Sequence, residues 1–154
     1  MKRLLVTMVC VLSSSTVFAV EISEDMVNKY VEQGLAKRAN RKVQILNPKV
    51  TLLEGFATLC ATVHAKAYPK DVDFCADMTP KWRQETGSLL ATKMTLVSLN
   101  APGVSDKDIE LVKLIVNQGV LPRLEGTEIY RADGFIGKQI SGVTVLPGKL
   151  DLSL

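Results

Sequence analysis

The chain contains one imidazole, His64. A histidine beside a carboxylate can act as a general base. Asp71 stands opposite His64 if the segments on either side of Pro69 form a hairpin. A plain cross-strand ion pair uses the same two residues and is the expectation. Asp71, Asp73 and Asp77 alternate with apolar residues and so share one strand face, which raises the question of a cation site. Antiparallel strands do not supply the curled, oxygen-lined loop that calcium favours, so a solvated acidic face is expected instead. Cys10, Cys60 and Cys75 supply either thiols or a disulfide. The chain has no G-x-S-x-G elbow, no H-E-x-x-H and no phosphate-binding loop. No catalytic residue, metal-ligand set or cofactor follows, and the expected class is non-enzymatic.

Composition narrows the partners. With 154 residues, 47% apolar and 23% charged, the chain has the make-up of one globular domain. A net charge of +3 is too small to argue for nucleic acid. The segment MKRLLVTMVCVLSSSTVFA has the three parts of a secretory leader: Lys2 and Arg3, the apolar run Leu4 to Leu12, and Val17 and Ala19 at a small-residue cleavage site. The run is too short to span a bilayer. Cys10 follows Met8 and Val9, not two small residues, so a lipoprotein cysteine is not expected. Cleavage after Ala19 removes 19 of the 154 residues, with Lys2, Arg3 and Cys10, leaving 135 residues, a charge of +1 and two cysteines. An even cysteine count suits an oxidising compartment, here the periplasm. Residues 20–154 are read as a single domain.

The elements that position these groups follow from hydrophobic period. ISEDMVNKYVEQGLAKR predicts a helix capped by Ser23, with Glu24 and Asp25 in its first turn and a stripe of Val27, Tyr30, Val31, Leu35 and Ala36. Lys37, Arg38, Arg41 and Lys42 follow. They complement the helix C-terminus or form a patch for anionic headgroups, a peripheral membrane contact. Val43 with Ile45 and Val50 with Leu52 alternate as strand residues, as do Ala57 to Ala65 and Val72 to Met78. Pairing Val63 with Val72, Ala61 with Phe74, Leu59 with Ala76 and Ala57 with Met78 makes one hairpin face wholly apolar. The same register sets Cys60 opposite Cys75, Thr62 opposite Asp73 and His64 opposite Asp71. A one-residue slip would mix the faces, so a Cys60–Cys75 cross-strand disulfide is expected, with two buried thiols as the alternative.

Ser88 to Leu99 predicts a further strand, with Met94 and Leu96 on one side and Val97 and Leu99 on the other. SDKDIELVKLIVNQGVLPRLEG predicts a second helix, capped by Ser105 with Asp108, apolar over more than half its circumference and hence mostly buried. Gly119 and Pro122 should bend or interrupt it. A strand near Tyr130 and a hairpin turning at Pro147-Gly148 close the chain. The fold class is α+β: a curved antiparallel sheet packed around one long helix, plus an N-terminal helix.

ISEDMVNKYVEQGLAKR, NPKVTLLEG, the stretch from SDKDIELVKL to LPRLEGTEIYRADG, and VLPGKLDL, in this order, resemble the YceB-like family of bacterial envelope proteins, a domain of unknown function. The resemblance covers nearly all of residues 21–153 and implies a Gram-negative periplasmic setting. It also implies a sheet wrapped around a long helix, similar to tubular lipid-binding folds that enclose an apolar groove. Family members resemble lipoproteins, and this chain departs from them at Cys10. The family offers no catalytic residues to carry over. An inner face rich in alanine leaves room either for close helix packing or for a lipid or other hydrophobic small molecule. The candidate lining is Leu59, Val63, Phe74, Met78, Met94, Leu96, Ile115 and Leu121. The second functional expectation is an envelope protein-interaction or structural module, with an edge strand or the basic cluster carrying the contacts.

Overall fold

The computed structural model describes residues 19–38, 42–66 and 68–154. The expected leader, Ala19 apart, and Arg41 lie outside the described residues. No helix among the described residues is long and apolar enough to cross a membrane.

Five strands form one curled antiparallel sheet: β2 (Val43–Leu52), β3 (Ala57–Ala65), β4 (Tyr68–Arg83), β5 (Ser88–Asn100) and β6 (Glu128–Arg131), in that spatial order. The β3–β4 register is the one the apolar pattern demands, from Ala57 opposite Met78 to Val63 opposite Val72. The turn precedes Pro69, which lies within β4, because Ala65 pairs with Tyr68. In β2 the buried parity changes from odd to even between Ile45 and Val50. The cause is an irregularity between Leu46 and Lys49, where Asn47 adopts φ 49°. In β5, Ser98 pairs with Cys75 and Leu96 with Ala76, so Val97 is the extra residue of a bulge. Val97 is therefore exposed while Leu99 remains half-buried, which corrects their expected placement on one side.

Helix α1 (Glu24–Arg38) lies against the curled sheet and contacts both of its edge strands, β2 and β6. Its Ser23 cap accepts a hydrogen bond from the Met26 amide at 3.3 Å. Val27, Val31 and Leu35 are buried, Tyr30 is half-buried, and Ala36 is exposed, outside the stripe expected for it.

The single long helix is corrected. Residues Asp106–Leu124 form α2 (Asp106–Ile115), a π turn (Val116–Val120) and α3 (Leu121–Leu124). Pro122 has no N–H to give a helical hydrogen bond, and Gly119 weakens the preceding turn, so the helix widens there. The Ser105–Asp108 cap forms as expected, with the Asp108 amide donating to the Ser105 hydroxyl at 3.3 Å. The helix is also less buried than its apolar circumference suggested. Val112 and Val116 pack inward, whereas Leu111, Leu114 and Ile115 are 56%, 48% and 53% exposed.

A second sheet is the other departure. The C-terminal hairpin forms as expected from β7 (Gly142–Leu146) and β8 (Lys149–Ser153). It joins β1 (Ala19–Ser23) in a separate sheet of order β1-β8-β7. The short β1 has no local turn signal and owes its conformation to pairing with the far end of the chain. Between β6 and β7 runs α4 (Gly134–Gln139), against the β4–β5 turn. A Cβ on Gly137 would stand 2.7 Å from the Ala132 carbonyl oxygen, so only glycine permits this approach.

The outer face of the β3–β4 hairpin is linked rung by rung. Thr58 donates to Asp77 at 2.6 Å, and Thr62 donates to Asp73 at 2.6 Å. Cys60 and Cys75 form a disulfide, and His64 Nδ1 meets Asp71 at 2.7 Å. The three aspartates are thus each taken by a cross-strand neighbour.

Candidate functional site

The α1 sequence divides into three longitudinal strips at helical spacing. Val27, Val31 and Leu35 point into the core. On one flank Glu24 and Asn28 meet β2. Asn28 donates to the Val50 carbonyl at 2.9 Å and accepts from the Val50 amide at 2.6 Å, while Glu24 accepts from the Leu52 amide at 2.9 Å. These side chains satisfy backbone groups at one end of edge strand β2, which removes that end as a template for strand addition.

On the other flank Tyr30, Gly34 and Lys37 face β6. The Tyr30 hydroxyl donates across this seam to Glu128 Oε1 at 3.0 Å. The rings of Tyr30 and Tyr130 lie beside it, with centroids 6.0 Å apart. Glu128 also accepts from buried Ser88 at 2.6 Å and from Arg131 through Nε at 3.1 Å and Nη2 at 2.5 Å, all at Oε2. Partial burial pushes the Glu128 carboxyl up, but hydrogen bonds from Arg131, Ser88 and Tyr30 outweigh it and hold the group below its ordinary range. Burial, then the hydrogen bond to Glu128, pushes the Tyr30 phenol up.

The direction of the Glu128 shift sets a pH dependence. A carboxyl depressed in the folded state contributes stability that is complete above its unfolded value and is lost as pH falls through the folded one. Acid titration of unfolding should therefore show a Glu128→Gln variant losing less stability than the parent below the ordinary glutamate value of 4.5. Parallel curves would contradict the shift.

Between α1 and β6 lies an open cleft of about 290 Å³, lined by Tyr30, Gln33, Gly34, Lys37, Thr127 and Glu128. Gly34 is the floor on the helix side, and nothing lies within 4 Å of a Cβ built there. Glycine inside a helix costs about 1 kcal/mol relative to alanine, so Gly34→Ala should raise the unfolding free energy by about that amount. Chemical denaturation measures it, and a loss of stability would contradict the open geometry.

Thr127 is the wall between this cleft and the interior. Behind it a gap of about 10 Å³ remains among Val31, Leu35, Val50, Leu59, Met78, Ala91, Met94, Leu124 and Ile129. The expected lining residues are distributed accordingly. Leu59, Val63, Phe74, Met78, Met94 and Leu121 are buried in the core, with helix side chains filling the space expected for a ligand. Leu96 is half-buried against that core. Ile115 is 53% exposed and does not face the interior, because only the Val112–Val116 side of α2 meets the sheet. Of the basic cluster, Lys37 lines the cleft, Arg38 ends α1, and Lys42 is exposed just before β2. A broader trough of about 480 Å³ lies over the disulfide, with Lys49, Ser98 and Asn100 among its walls.

Sequence reasoning missed Asn28, Gln33, Thr127 and Glu128. Asn28 carried a signal, since a helical projection puts it beside Leu35 within the apolar stripe. A polar residue there needs an internal partner. Glu128 carried none, because Glu-Ile-Tyr-Arg alternates as any half-exposed strand does. No family model matches the chain, and no curated protein matches it.

Proposed function

We propose that this protein is a non-enzymatic binding protein of the periplasm that holds an apolar ligand between α1 and the curled sheet, admitted where α1 parts from β6. The observation that carries this reading is the unequal attachment of α1. Side-chain bonds to the backbone of Val50 and Leu52 fix its β2 flank, whereas the Tyr30–Glu128 bond at its β6 flank joins two side chains. The helix is thus hinged at β2 and latched at β6. The space behind the latch is bounded by Ala91 and by the adaptable thioethers of Met78 and Met94. An apolar chain entering there exchanges helix–sheet contacts for ligand contacts, so opening costs less than the area exposed would suggest. The Cys60–Cys75 disulfide suits an oxidising compartment. The likeness of the quoted segments to YceB-like envelope proteins supports the same setting.

Titration with 1-N-phenylnaphthylamine, whose emission rises in apolar surroundings, tests this reading. Saturable uptake near one probe per chain, displaced by palmitate, is expected. Absence of saturable uptake by the disulfide-intact protein would overturn it.

The exposed row Leu111, Leu114 and Ile115 on α2 favours a second reading, an envelope protein-interaction module. Under that reading, Leu111→Glu with Ile115→Glu abolishes partner capture and leaves probe uptake unchanged.

A further inference from the structure

We propose that the Cys60–Cys75 disulfide is a site of reversible thiol–disulfide exchange with a protein dithiol. The bridge lies on the outer face of the sheet, at the floor of the trough of about 480 Å³. Both cysteines are only half-buried. Strand pairing sets Lys49, Cys60, Cys75 and Ser98 in one row across β2, β3, β4 and β5. Both flanking strands break register beside that row, β2 between Leu46 and Lys49 and β5 between the partners of Cys75 and Ala76. Bulges re-aim side chains and interrupt pairing next to reactive sites, and here two of them flank one bridge. Exchange requires a thiolate to reach one of the two sulfurs, so an accessible disulfide is the labile sort.

The row is also electrostatically uneven. Along β3, Cys60 stands between Thr58 and Thr62, with Lys49 opposite it on β2. Along β4, Cys75 stands between Asp73 and Asp77 on the same face. A neighbouring cation favours a thiolate, and neighbouring carboxylates disfavour one. Cys60 is therefore the sulfur that leaves, and Cys75 is the sulfur attacked. A thiolate of the dithiol attacks Cys75 Sγ, the S–S bond breaks, and Cys60 departs as a thiolate. The second thiol of the partner, once deprotonated, attacks its own sulfur in the mixed disulfide and releases Cys75. The bridge gains two electrons, the dithiol loses two and becomes a disulfide, and its two protons end on Cys60 and Cys75. The apolar pairs from Ala57–Met78 to Val63–Val72 hold the hairpin register throughout, so the reaction can run back. The exchange does not rest on the apolar-ligand reading, whose space lies on the other face of the sheet.

A trapping experiment tests the assignment. The disulfide-intact protein is incubated with thioredoxin carrying serine in place of its resolving cysteine, then alkylated with iodoacetamide and mapped by peptide mass. The expected product joins thioredoxin to Cys75 and carries the alkyl group on Cys60. Thioredoxin joined to Cys60 would overturn the polarity, and the absence of any mixed disulfide would overturn the site. With intact reduced thioredoxin, thiol release should rise in proportion to thioredoxin concentration. It should not change in urea that raises the unfolded population about tenfold. Release that quickens in step with unfolding would show that the bridge is reached only through the unfolded chain, which also overturns the site. Lys49→Glu should slow release about tenfold by disfavouring the departing thiolate, while Lys49→Arg keeps the parental rate. A rate indifferent to Lys49→Glu would contradict the directing role of the cation.

Discussion

Replacing Cys60 and Cys75 together by alanine is expected to lower the unfolding free energy by about 3 kcal/mol. The bridge closes a separation of 15 residues, and constraining a loop of that size in the unfolded chain accounts for about that amount. For a domain of this length the melting temperature should fall by about 10 °C. The native hairpin should survive, because the apolar pairs from Ala57–Met78 to Val63–Val72 hold the same register on the opposite face. Denaturant titration of the parent with and without dithiothreitol supplies the matching comparison. A loss below 1 kcal/mol in both experiments would mean that the crosslink does not constrain the unfolded state.

Asn28→Ala is expected to cost about 2–4 kcal/mol. The variant strips partners from both the amide and the carbonyl of Val50, which is 0% exposed. Each buried backbone group left unsatisfied costs about 1–3 kcal/mol. Tyr30→Phe removes the side-chain bond to Glu128 on the other flank, beside the open cleft, and should cost about 1 kcal/mol or less. The ratio of the two losses measures the asymmetry from which the hinge and latch are inferred. Equal losses would remove it. Hydrogen exchange adds an independent readout, with Asn28→Ala loosening α1 and β2 together and Tyr30→Phe loosening α1 alone.

Much of the fold was legible in the chain because its signals are local. The alternation across Ala57 to Met78 defines one register, and two cysteines on the opposite parity fall into line with it. The Ser23 and Ser105 caps, the interruption before Pro122 and the Pro147-Gly148 turn likewise need only neighbouring residues. What escaped was non-local. Strand β1 is five residues whose conformation depends on a partner at the other end of the chain. The breadth of the apolar face on α2 suggested burial, but the sheet covers only its Val112–Val116 side, and sequence period does not say how much of a face finds a partner. The bulges at Asn47 and Val97 shift which residues face inward partway along a strand. Of these, the bulges left a trace in the sequence, as the parity changes between Ile45 and Val50 and between Leu96 and Leu99.

The candidate site was the least legible part for the same reason. Lys37 was singled out for its charge. Its cleft partners Tyr30 and Glu128 meet across the α1–β6 seam from 98 positions apart, which no spacing rule reaches. Leu59, Val63, Phe74, Met78, Met94 and Leu121 lie in the core, where α1 and α3 cover them, and Ile115 lies outside it.

The central claim is that an amphiphile occupies the seam between α1 and β6. Native mass spectrometry of the disulfide-intact protein, isolated by osmotic release without detergent, tests it most directly. The account predicts one noncovalent adduct per chain with the mass of a lipid, lost on solvent extraction and regained on incubation with palmitate. A spectrum of the bare chain alone, unchanged by that incubation, would contradict it.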